Sequence, residues 1–100
     1  MNIYKLVCSL TDKFEISEWK WKLVEERNTY YKIDSGVTKI QLKKTDLNRV
    51  TQTLHMLDLE VQVFCTEELL ETFRRDLPSI YKQEVRKMIS LLQNKLEKLP

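Results

Sequence analysis

Between Leu57 and Cys65 an apolar side chain falls on every second residue: Leu57, Leu59, Val61, Val63 and Cys65, separated by Asp58, Glu60, Gln62 and Phe64. Five repeats of a two-residue period describe a strand with one buried face, because successive side chains of an extended chain point to opposite sides. The period then changes to that of a helix. Thr66 is placed to cap it, Glu67 and Glu68 lie at the positive end of its dipole, and Leu69, Leu70, Phe73 and Leu77 form its inner face.

Alternation also fills the first part of the chain. Tyr4, Leu6, Cys8 and Leu10 lie on one side of a strand over Ile3 to Leu10, with Lys5 and Ser9 on the other, and Thr11-Asp12-Lys13 forms a polar turn. From Phe14 to Val24 the parity changes: Phe14 and Ile16 fall on even positions, Trp19, Trp21 and Leu23 on odd ones. Either this strand bulges near Ser17, or its two ends bury opposite faces. A turn at Arg27-Asn28 leads to a strand from Thr29 to Ile33. Asp34-Ser35-Gly36 supplies the only glycine where a three-residue hairpin loop needs positive φ, and Val37 to Lys43 returns with Ile40 and Leu42 inward. Thr45 and Asp46 can cap a short helix through Leu47, Val50 and Leu54, weakened by Thr51 and Thr53.

Pro78 disfavours helical geometry at Leu77 and suits a first helical position, which predicts that a second helix starts there and runs to about residue 99. Val85, Ile89, Leu92, Leu96 and Leu99 are spaced by four, three, four and three residues, the spacing of a coiled-coil seam, and Met88 and Leu91 widen it. The expected fold is a single α+β domain over residues 1–100. A four-stranded antiparallel meander plus a fifth strand near 57–65 packs against C-terminal helices.

A net charge of +2 neither demands nucleic acid nor imitates it, and 42% hydrophobic with 32% charged residues places the chain among folded domains. MNIYKLVCSL has no signal-peptide core and no stretch is apolar enough to span a bilayer, so the expectation is a bacterial cytoplasmic protein. Cys8 and Cys65 belong to no CxxC pair and read as reduced packing residues, with a disulfide open if their strands are neighbours. His55, Cys8 and Cys65 lack the spacing of metal ligands, Glu25-Glu26 and Glu67-Glu68 are not a matched acid and base, and one glycine builds no phosphate loop. The expectation is therefore no enzyme, no cofactor and no metal.

Contact surfaces remain. Trp19 and Trp21 alternate with Lys20 and Lys22 and are expected near Tyr30 and Tyr31 across a hairpin. Facing outward they would anchor a partner, with Lys20, Arg86 and Lys87 at the rim; facing inward they are core. The seam of Val85, Met88, Ile89, Leu92 and Leu96 is a candidate dimer face. Lys82, Arg86, Lys87, Lys95 and Lys98, against Glu84 and Glu97, make the last helix basic, as in a homodimer that binds nucleic acid.

The lysine-rich character, the stretches EWKWKLVEERNTYYKI and KIQLKKTDLNRV, and the closing LLQNKLEKL resemble small accessory proteins of phages and prophages of low-GC Gram-positive bacteria. That resemblance implies binding to a host protein, such as a CRISPR nuclease or another defence effector, and its inhibition by contact. A minor structural part of a phage particle is the other role it allows.

Overall fold

The computed structural model describes residues 1–56 and 58–100. Six strands form one antiparallel sheet: β1 (Asn2–Leu10), β2 (Phe14–Glu26), β3 (Tyr30–Asp34), β4 (Lys39–Lys43), β5 (Thr51–His55) and β6 (Asp58–Thr66). One helix, α1 (Glu67–Glu97), completes the domain. The strand order is β4-β3-β2-β1-β6-β5, curled into a half-barrel, so the N-terminal strand lies at the centre.

The first four strands are the expected meander, and the expected fifth is β6, with Leu57 lying outside the described residues. A sixth strand occupies the position predicted for a short helix: Lys44–Asp46 form a single 3₁₀ turn, and Thr51–His55 pair with β6 from Thr51↔Gln62 to His55↔Asp58. Extended pairing suits the β-branched Thr51 and Thr53 better than a helix does. Between these elements the chain crosses from the β4 edge to β6. Leu47 bridges Phe64, the Asn48 amide donates to the Phe64 carbonyl at 2.6 Å, and Asn48 Oδ1 accepts from the Thr66 amide at 3.1 Å. Asn48 adopts φ 61°, which its short polar side chain tolerates better than most. In the β3–β4 turn, Gly36 has φ 92° and donates its amide to Asp34 Oδ1 at 2.8 Å; the loop spans four residues, one more than expected.

The sheet has a core on each face. Against α1 pack Leu6 and Cys8 of β1 and Leu59, Val61, Val63 and Cys65 of β6, covered by Leu70, Leu77 and Tyr81. Inside the curl lie Ile3, Trp21, Ile33 and Leu42, with Leu47 and Phe64 packed on them. This resolves the parity change in β2. Its register with β1 is unbroken from Phe14↔Leu10 to Lys22↔Asn2, without a bulge at Ser17, and the only shift lies between Leu23 and Glu25. Phe14 and Ile16 face the helix side while Trp19, Trp21 and Leu23 face the curl, so the two ends serve opposite cores.

The predicted break at Pro78 does not occur: α1 is continuous through it. Proline removes one backbone hydrogen bond and costs about 3 kcal/mol within a helix. Here its neighbours Leu77, fully buried, and Tyr81, whose hydroxyl donates to the Leu59 carbonyl at 3.0 Å, tie the segments before and after it to the same sheet face. Thr66 stands at the N-cap as expected, but its side chain makes no capping bond.

Cys8 and Cys65 are free and buried on neighbouring strands. Cys8 faces Val61 and Cys65 faces Tyr4, an offset of four residues or roughly 13 Å, too far for a disulfide. Burial pushes each thiol from 9.0 up to about 11. The folded chain then holds these protons where the unfolded chain has released them, so stability declines as pH rises from about 9 toward about 11. Thermal melts across that window should show the decline, and it should be shallower in Cys8→Ala.

Candidate functional site: the projecting helix and its groove

α1 is longer than the sheet it covers. Thirty-one residues at about 1.5 Å per residue span roughly 46 Å, and the molecule measures 56 Å along its longest axis. Sheet contact holds the first half: Leu70, Leu77 and Tyr81 are buried, Phe14 meets Tyr81 edge-on at 5.3 Å, and Arg74 forms paired 2.8 Å hydrogen bonds to Glu18. That guanidinium holds the Glu18 carboxyl below its usual range. From Arg86 onward only Met88 is even partly covered.

The seam continues onto this uncovered part. Ile89, Leu91, Leu92, Leu96 and Leu99 are all exposed, Leu92 at 59% and Leu96 at 68%. Of the candidate dimer face, Val85 and Met88 are half-buried against the helix-side core, while Ile89, Leu92 and Leu96 stand free of the domain. Where α1 leaves the sheet, an apolar groove of about 550 Å³ opens between the helix and the β1–β2 hairpin, lined by Leu10, Phe14, Pro78, Tyr81 and Val85 with Lys82 and Arg86 at its rim. Pro78, Lys82 and Val85 continue the heptad positions of the seam toward the sheet, so groove and stripe are one surface. The sequence carried a trace of the groove in the even parity of Phe14 and Ile16.

The aromatic cluster is divided. Trp21 is 7% exposed, a core side chain whose indole N–H has no partner, so it is not part of an outward pair. Trp19 is 48% exposed on the same strand face, with the Lys5 ammonium 5.9 Å from its ring and 5.5 Å from that of Phe64. Tyr31 pairs with Glu26, seven residues along β2 from Trp19, and packs in the curl, while Lys44 lies 5.2 Å over its ring. Tyr30 is half-buried opposite Lys43. Lys20 points to the face opposite Trp19, and Arg86 and Lys87 lie on the projecting helix, so the predicted anchors and rim do not form one patch. Lys5 went unrecognised, because only the fold brings it to Trp19.

Among the described residues no three His, Cys, Asp or Glu side chains come together as metal ligands, and no helix is long and apolar enough to cross a membrane. His55 is exposed on β5 while both thiols are buried. Comparison with protein-family models, curated proteins and solved structures finds no match to this chain.

Proposed function

We propose that this protein is a non-catalytic binding module acting by contact, and that the projecting half of α1 with its groove is what it offers to another protein. One observation supports this above all: an apolar stripe from Ile89 to Leu99 continues the face that covers the sheet, yet among the described residues nothing covers it. The groove gives a partner a pocket for one or two large side chains, the arrangement in which a few residues carry most of the affinity. Following the resemblance in the sequence, the finer proposal is a phage-encoded inhibitor that occupies a host defence protein such as a CRISPR nuclease.

Replacing Leu92 and Leu96 together by lysine tests the surface. Both side chains are exposed, so the thermal melt should move little, within about 0.5 kcal/mol per site, while partner binding is lost. Inhibition of a purified CRISPR nuclease should saturate near equal molar amounts and vanish in the same variant. A melt that collapses would place the stripe inside the fold and end this reading.

A second reading has its own observation. Among the described residues, Lys82, Arg86, Lys95 and Lys98 make no ion pair, whereas Lys87 is held by Glu84 at 3.1 Å. Four unpaired cations along one helix suit a nucleic-acid backbone, and gel-shift affinity falling steeply with salt would favour that partner.

A further inference from the structure

β2 is shared unequally by its neighbours. β1 pairs with it from Phe14 to Lys22, whereas β3 pairs only with Lys22, Leu23, Glu25 and Glu26. From Phe14 to Lys20, the side of β2 turned away from β1 therefore has no strand beside it among the described residues, and all seven residues are exposed. Such an edge presents a row of backbone N–H and C=O groups ready to pair with another strand.

Sheets ordinarily blunt their edges by shortness, charge, proline or a bulge. The outermost strands follow that rule: β4 and β5 have five residues each, and β4 ends in lysines at both sides. The free stretch of β2 is blunted by charge alone, at Glu15, Glu18 and Lys20, which any pairing must accommodate. It is seven residues long, contains neither proline nor glycine, has its bulge elsewhere, and displays Phe14, Ile16 and Trp19.

We propose that this edge pairs antiparallel with the same edge of a second copy, joining two six-stranded sheets into one. The two-fold axis then stands perpendicular to the sheet. Residues directly opposite each other share a face, and only registers centred on a single residue satisfy the symmetry. Centred on Glu18, that carboxylate would oppose its own copy. Centred on Ile16, Trp19 and Lys20 would oppose the Asp12–Lys13 turn in place of a strand. Centred on Ser17, the whole free stretch is paired: Phe14 with Lys20 of the second copy, Glu15 with Trp19, Ile16 with Glu18, and Ser17 with itself, with no like charges opposed. α1 leaves room, because it lies chiefly over β1 and β6 and meets β2 through Phe14 and Glu18. This interface shares Phe14 with the groove but none of the stripe from Ile89 to Leu99, and it does not depend on the role of the projecting helix.

The test is the mass of the full chain in solution together with a cross-link. Light scattering should give twice 12.1 kDa. In Ser17→Cys the paired Cα atoms would lie about 4.5–5.5 Å apart, within disulfide reach, so mild oxidation should yield a covalent dimer. Wild type should not cross-link, its own two cysteines being buried. Lysine at both Ile16 and Trp19 should give a folded monomer, whereas lysine at Leu92 and Leu96 should leave the dimer intact. A monomeric mass at every concentration overturns the proposal. So does a dimer in which Ser17→Cys does not cross-link, or one that dissociates only with the helix substitutions.

Discussion

Trp21→Ala should bring the protein to the edge of unfolding, while Trp19→Ala, two residues away on the same strand face, should leave it folded. Trp21 is 7% exposed at the centre of the curl, which among the described residues it shares with three other buried side chains, Ile3, Ile33 and Leu42. Truncating a buried tryptophan costs about 3–5 kcal/mol, a large share of the roughly 5–15 kcal/mol that holds a domain together. Trp19 has its Lys5 contact to lose, on the order of 0.5–1 kcal/mol at an exposed ring. Trp21→Phe should cost much less than alanine, since it keeps most of the ring contact and removes an indole N–H that has no partner. Urea titrations followed by circular dichroism would rank the three. Equal losses from Trp19→Ala and Trp21→Ala would contradict the assignment of Trp21 alone to the core.

Leu77→Ala should produce a loss of similar size on the other face. Leu77 is fully buried between α1 and the sheet, immediately before Pro78. Large-to-small changes at such sites cost about 2–5 kcal/mol, more where the surroundings cannot collapse into the space. Collapse is restrained here, because Tyr81 is tied to Leu59 and Arg74 to Glu18 at either side. At about 4–8 °C per kcal/mol for a domain of this size, the melting temperature should fall by well over ten degrees. A drop of only a few degrees would mean that α1 is not anchored where the hydrogen bonds place it.

Much of this fold was legible because local period and tertiary role agree. The alternation of Leu59, Val61, Val63 and Cys65 appears as β6, and the meander follows the turns at Arg27-Asn28 and Gly36. The misses have specific causes. Leu47, Val50 and Leu54 fit a helical spacing by coincidence: Leu47 packs in the curl, Val50 against the helix-side core, and Leu54 is exposed in β5. Pro78 reads as a break because sequence shows the lost hydrogen bond but not the sheet that outweighs it. The same applies to the aromatic cluster, where the curl takes in Trp21 and leaves Trp19 outside. Of the candidate surface, the stripe was visible as a heptad seam, but its exposure was not, since nothing local fixes where the sheet beneath a helix ends.

The central place of β1 sets the order in which a growing chain can acquire structure. Its second neighbour, β6, pairs Ile3 with Thr66 and Cys8 with Val61, more than fifty residues apart. Until the ribosome has released that far strand, and α1 after it, the first hairpin has no cover for Leu6 and Cys8. Folding should thus be slow for a domain of this size and concerted only after β6 and α1 have emerged, with a nascent hairpin that depends on chaperones in the interval.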